Sequence, residues 1–171
     1  MADFNIYWPI ENKLEGVVFE NVPGDEPTKF GLVMNDIKEF GLGYDVQTLK
    51  DLQPQQAMQI LKKLYWDFFK ADDIKNQNLA MFIVDAGLLN GPVLIADAVQ
   101  EIVGFKGHDI DGMFGSKTIT AINLMYPFEL YCKLYGYRLR RFDDLKKINP
   151  AKTEQDYAGW INRLNAIKVA Y

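Results

Sequence analysis

Lys13-Leu14-Glu15-Gly16 begins the stretch on which the reading turns, and Val17-Val18-Phe19-Glu20-Asn21-Val22-Pro23-Gly24-Asp25-Glu26-Pro27-Thr28-Lys29-Phe30-Gly31 completes it. A carboxylate stands at the end of a helical pattern, a glycine follows, and a short apolar run leads into a turn-rich segment. The unpaired carbonyls of a helix C-terminus carry partial negative charge and oppose a nearby anion. That placement predicts a raised pKa for Glu15, more so where apolar neighbours desolvate it. A carboxyl kept protonated near neutral pH suits a glycosidase general acid. The same residues also read as a solvated last-turn glutamate with Gly16 as an ordinary C′ glycine.

Outward from this stretch the pattern is helical. Phe4 to Glu15 carries Ile6, Ile10 and Leu14 on one face, and Pro9 predicts a late start near Trp8 with proline at N1. Val17-Val18-Phe19 and Phe30-Gly31-Leu32-Val33 read as short β runs joined by the Pro23–Pro27 turn, forming a hairpin or an irregular loop. Asn35 is placed to cap a short helix ending at Phe40. Asp45 to Leu52 reads as an amphipathic turn, and Pro54 opens a helix at N1. Its stripe holds Ala57, Leu61, Leu64, Tyr65 and Phe68. Tyr65-Trp66 and Phe68-Phe69 read as core, with one edge available as a sugar platform.

Asn78 to Leu89 is the most apolar stretch and the expected central buried helix. Asp85 interrupts it, so that carboxylate is either paired or faces a cleft. Asn90-Gly91 ends this helix, and Pro92 begins another that runs to about Val103 with Ile95, Val99 and Ile102 inward. Gly104 to Gly115 reads as loop. Its Asp109-x-Asp111-Gly112 resembles the opening of a calcium loop but lacks the later ligands, so a turn is expected rather than a metal site. Ser116 is placed to cap a helix to Leu124, and Phe128 to Leu145 forms a long one. Thr153-x-x-Asp156 resembles a capping box at the start of a last helix, Glu154 to Lys168. About eight helices and one small β element describe a mainly α chain.

With 171 residues there is room for a real core, and a net charge of −4 argues against nucleic acid as a partner. Tyr137-Arg138-Leu139-Arg140-Arg141 nonetheless offers a local basic patch to an anionic polymer. Cys132 is the single cysteine, which excludes an internal disulfide and a thiolate cage, and its helical apolar setting reads as core packing. His108 is the single histidine and has no second histidine with which to build a triad. No run of about 18 apolar residues is present, so no membrane span is expected. Met1 to Trp8 shows no leader pattern, and synthesis in a cytoplasm without a signal peptide is expected.

Taken in order, these stretches resemble glycoside hydrolase family 108, the bacterial and phage N-acetylmuramidases also described as secretion-activating proteins. That family opens with a helix ending in Glu-Gly-Gly, then an Asn-Asp-Pro turn and an Asp-Pro-Gly-Gly-x-Thr-Lys-Tyr-Gly-Ile segment. The corresponding residues are Glu15-Gly16-Val17, Asn21-Val22-Pro23 and Asp25-Glu26-Pro27-Thr28-Lys29-Phe30-Gly31-Leu32. Tyr65-Trp66 matches a family Tyr-Trp, and Asp85-Ala86-Gly87-Leu88-Leu89-Asn90-Gly91 is similar to its Asp-x-x-Val-Asn-x-Gly helix end. Asp111-Gly112-Met113-Phe114-Gly115-Ser116-Lys117-Thr118 is similar to the Asp-Gly-x-x-Gly-x-x-Thr of its peptidoglycan-binding C-terminal part. Gly159-Trp160-Ile161-Asn162-Arg163 matches its closing Gly-Trp-x-x-Arg. The chain departs where the second glycine becomes Val17 and the loop Gly-Gly shortens to Glu26-Pro27.

The resemblance implies a mainly α, lysozyme-like fold with a small hairpin or loop near the N-terminus. It implies a catalytic part over residues 1–91 and a helical peptidoglycan-binding-like part over 92–171, packed as one compact unit. The implied reaction is hydrolysis of the β-1,4 bond between N-acetylmuramic acid and N-acetylglucosamine, without cofactor or metal. Glu15 is then the general acid, Asp25 the leading second carboxylate ahead of Glu20 and Asp85, and Thr28 the holder of water. Tyr65, Asp85 and Asn90 are the expected substrate-binding residues. Peptidoglycan glycan strands are the expected partner of a monomer that acts on the cell wall once released, as a phage or prophage lysis enzyme. Two alternatives stand beside it: a non-catalytic peptidoglycan-binding or phage structural protein, which the altered glycines motivate, and a lytic transglycosylase.

Overall fold

The computed structural model describes residues 1–16, 18–21 and 25–170, apart from the side chains of residues 151, 152, 154 and 155. Val17 and the Pro23-Gly24 turn of the expected hairpin lie outside the described residues. Among the described residues nine α-helices follow one another: α1 Phe4–Glu15, α2 Met34–Phe40, α3 Val46–Asp51, α4 Pro54–Leu61, α5 Gln77–Asn90, α6 Pro92–Ile102, α7 Ser116–Leu124, α8 Pro127–Ile148 and α9 Pro150–Leu164. The described β structure is limited to two isolated antiparallel bridges, Glu20 with Thr28 and Lys29 with Leu32. The expected mainly α class is the observed one. The chain divides into two compact units, 3–68 and 1–2 with 69–171, whereas the expected division lay after residue 91.

In the first unit α1 departs from expectation. It starts at Phe4, where the Asp3 carboxylate accepts the Asn5 backbone N–H at 2.8 Å, and Pro9 lies inside it. An interior proline removes one hydrogen bond and costs about 3 kcal/mol or more. The aromatic face of the helix offsets that cost. Phe4 and Tyr7 are buried with Trp66, their ring centroids 5.5 and 5.6 Å from its own. Each such ring removes roughly 150–250 Å² from water. Glu11 occupies the next inward position, and Tyr7 Oη donates to its Oε2 at 3.0 Å. The expected inward stripe therefore points the other way, with Ile6 50% and Leu14 37% exposed. The aliphatic periodicity misled because Glu11 makes the true inner face look polar.

Asn35 does not cap α2. The backbone N–H of Val33 donates instead to the Asp36 carboxylate at 2.8 Å. Asp45 caps α3 by accepting from Thr48 N at 2.8 Å. Pro54 stands at N1 of α4 as expected, and a π-helical turn over Lys62–Trp66 follows. Ala57, Leu61, Tyr65 and Trp66 are buried on this run.

In the second unit α5 is the central helix, with every residue from Leu79 to Gly87 buried. Gly91 separates it from α6, which has Pro92 at N1. Ser116 is the first residue of α7 rather than its cap, which is Gly115. The inner face of α8 is Leu130, Leu134, Arg138 and Phe142 at a spacing of one helical turn. That spacing corrects two expectations: Cys132 falls on the opposite, exposed face, and Arg138 is drawn inward, out of the basic patch. Thr153 is not a cap, because α9 begins at Pro150. The Thr153 hydroxyl donates back to Asn149 O at 2.7 Å, as mid-helix threonines do. Asp111 serves a turn, accepting from Gln100 Nε2 at 2.7 Å and from Met113 N at 3.0 Å. No described helix is long and apolar enough to cross a membrane.

Candidate functional site

Glu15 is the last residue of α1, half-buried, with Lys13 in the same turn and Gly16 N–H closing back on Asn12 O at 3.1 Å. Its carboxyl group is held against a two-residue hairpin formed by Lys29-Phe30-Gly31-Leu32. Lys29 and Leu32 exchange both backbone hydrogen bonds at 3.0 Å, while Phe30 and Gly31 have φ of 55° and 73°. Two successive positive φ values define the tight turn that matches strand twist, with glycine at its second position. Phenylalanine in the left-handed region costs roughly 1–2 kcal/mol. Burial of the Phe30 ring and of Leu32 balances this.

Gly31 has a second reason for being glycine. A Cβ built there would lie 2.6 Å from Glu15 Cδ, 2.7 Å from its Cγ and 3.0 Å from its Oε1. The turn thus seats the carboxyl of Glu15 directly on bare backbone. Apolar Phe30 and Leu32 on either side tie that backbone into the core of the unit.

The other expected catalytic residues belong to the same unit. Thr28 is half-buried, and its backbone N–H and C=O both pair with Glu20 at 2.9 Å. Asp25 and Glu20 are exposed.

Tyr65 is buried, and its hydroxyl donates to Asp36 Oδ1 at 2.6 Å. Burial raises the Asp36 pKa above its ordinary value, while the hydrogen bonds from Tyr65 and Val33 oppose the shift. Burial, and then the Asp36 charge, push the Tyr65 phenol far upward. Asp36 carried no legible signal in the sequence beyond its place three residues after Val33, a spacing that suits a carboxylate reaching back to the start of a helix.

Asp85 and Asn90 belong to the other unit, where arginines engage both. Asp85 Oδ2 lies 2.7 Å from Arg138 Nη2, and Arg163 Nε donates to its Oδ1 at 2.8 Å. Asn90 Oδ1 accepts from Arg141 Nε at 3.1 Å, and its amide donates to Ala86 O at 3.0 Å. Of the two readings open for Asp85, paired or facing a cleft, the structure shows the pairing, through two arginines far away in sequence that no local pattern announces.

Residues 13–91 match the family model described as Glycosyl hydrolase 108. That segment contains Glu15 and its hairpin. The solved structure of SagA from Brucella abortus matches with a TM-score of 0.81 at 22% identity, covering 96% of this chain and 90% of that one. That match extends the fold likeness to nearly the whole chain. No curated protein matches the sequence.

Proposed function

From a chain whose residues 13–91 identify it as a member of the glycosyl hydrolase 108 family, we propose a peptidoglycan hydrolase of the N-acetylmuramidase type. It cleaves the β-1,4 bond between N-acetylmuramic acid and N-acetylglucosamine. The observation that carries this reading is the seating of the Glu15 carboxyl on Gly31. A general acid must be held within hydrogen-bond reach of the glycosidic oxygen, and a rigid backbone seat restricts its rotamers.

In this reading Glu15 donates its proton to the leaving oxygen as the anomeric C–O bond breaks. Asp25 positions the attacking water or stabilises the oxocarbenium ion, and the Thr28 hydroxyl orients that water. Asp85 is neutralised by two arginines, so the second carboxylate role falls to the loop rather than to α5. Peptidoglycan strands are the partner, and no cofactor enters the scheme.

The test is release of reducing sugar from purified peptidoglycan by the wild type and by Glu15→Gln, with folding checked by circular dichroism. A folded Glu15→Gln variant is expected to lose about 10²–10⁴-fold in rate. Equal activity in both proteins removes Glu15 from the mechanism. A 1,6-anhydro product makes the enzyme a lytic transglycosylase. Binding without turnover by the wild type makes it a non-catalytic wall-binding protein.

A further inference from the structure

The basic run at residues 137–141 has no part in the reaction just described, and the fold splits it between two destinations. Arg138 turns inward to Asp85. Arg140 and Arg141 stay on the outer side of α8, where two hollows of about 260 and 340 Å³ are both lined by Tyr137 and Arg140. Arg141, Asp144 and Leu145 also line the first hollow, and Glu101 of α6, Lys133 and Gly136 the second.

Three observations mark this cleft as a binding surface for anions. First, neither Arg140 nor Arg141 forms an ion pair with a described residue, whereas Lys133 and Asp144 are neutralised by Glu129 at 2.7 Å and Lys147 at 2.8 Å. The first hollow thus offers the charge of two guanidiniums, while in the second the Glu101 carboxylate offsets Arg140. Second, the Arg141 side chain is held in place, because its Nε donates to Asn90 Oδ1 at 3.1 Å. A guanidinium anchored by one nitrogen keeps its outer fork for a carboxylate. Third, Gly136 sits in the middle of a 22-residue helix, where glycine costs about 1 kcal/mol relative to alanine. No packing demand accounts for it, since a Cβ there would meet only Arg140 Nη1, at 3.5 Å. The glycine leaves bare backbone next to Arg140 on the wall of the second hollow.

We propose that this α8 cleft binds the carboxylate-bearing peptide stem of peptidoglycan, through Arg140 and Arg141 with Tyr137 as the apolar wall. This rests on the muramidase reading for the identity of the polymer. Stem peptides carry several carboxylates beside small apolar side chains, which the paired guanidiniums and the Tyr137–Leu145 surface complement. A site of this kind makes the enzyme sensitive to how densely the glycan is substituted with peptide, apart from the chemistry at Glu15.

The experiment uses the full chain carrying Glu15→Gln, so that glycan strands remain intact, and compares it with the same chain bearing Arg140→Gln or Arg140→Gln with Arg141→Gln. Binding is measured to amidase-released peptide stems, to amidase-stripped glycan strands and to inorganic phosphate. The parent is expected to bind the peptide stems in a salt-sensitive manner, and Arg140→Gln to weaken that binding by about tenfold or more. Arg140→Gln alone leaves the Asn90 contact in place and so separates recognition from folding. Undiminished stem binding by both variants overturns the proposal, as does a parent that binds phosphate or stripped glycan but not the stems. Failure of the muramidase reading shows elsewhere, as a wild type that releases no reducing ends from stripped glycan.

Discussion

Gly31 has to be glycine twice over, once for its backbone and once for its neighbour. Its φ of 73° lies where a side chain is strained, and the space a Cβ would take is already filled by the Glu15 carboxyl. Gly31→Ala is therefore expected to act on stability and on activity together. Placing a β-carbon in the left-handed region costs roughly 1–2 kcal/mol, and the 2.6 Å clash with Glu15 Cδ forces that side chain to another rotamer. A displacement of about 1 Å at a reacting group costs about 10²-fold in rate. Urea denaturation and reducing-sugar release on the same preparation check the two effects. A variant as active as wild type means that the seat under Glu15 does not position it.

At the scale of elements, the junction of α2 with the π-helical turn hangs on one carboxylate. Asp36 accepts from Val33 N at the start of α2 and from Tyr65 Oη in the turn. Because burial raises its pKa in the folded state above the ordinary 3.8, the folded protein binds this proton more tightly than the unfolded chain. Stability contributed by Asp36 is then greatest below the ordinary carboxylate value and falls as pH rises through the raised one. Tyr65→Phe removes a donor to the ionised form and drives the pKa higher still. The substitution is expected to cost about 1–3 kcal/mol near neutral pH, and less below the ordinary carboxylate value, where Asp36 is protonated in both states. Denaturation curves at the two pH values test this, and a loss independent of pH would show that Tyr65 acts through packing alone. Such wiring explains why a Tyr-Trp pair is legible as core from its spacing while the partner of its hydroxyl is not.

For the molecule as a whole, the strongest internal commitment lies in the unit of residues 69–171. Asp85 on α5, Arg138 on α8 and Arg163 on α9 are joined there at 2.7 and 2.8 Å, with Asp85 1% and Arg138 0% exposed. The 2.7 Å contact to Arg138 is an ion pair outside hydrogen-bond geometry, and its Nε and Nη1 find no hydrogen-bond partner among the described residues. The Phe82 ring lies 4.9 Å from the guanidinium carbon and supplies a cation–π contact in their place. Removing the anion from such a site leaves a buried cation uncompensated, at a cost of about 3–5 kcal/mol. Asp85→Ala is accordingly expected to lower the melting temperature markedly, and Asp85→Asn, which keeps an acceptor for Arg163, to do so less. Equal melting of the wild type and Asp85→Ala would mean that the triad is dispensable to the fold.

The sequence by itself determined the mainly α class, the helix openings at Pro54 and Pro92, the buried α5 and the placement of Glu15 at the end of a helix before a glycine. These are local matters, set by hydrophobic period and by where proline and glycine are tolerated, and neighbours along the chain suffice to read them. Tertiary structure alone decided the face of α1 that turns inward, the inward course of Arg138, the exposure of Cys132 and the seat of Glu15 on Gly31. Each of these rests on a partner distant in sequence. Tyr7 makes Glu11 acceptable in the core, Asp85 does the same for Arg138, and a hairpin sixteen residues on meets the end of α1. Charge at an inward position is indistinguishable from charge at the surface until the group that neutralises it is in place.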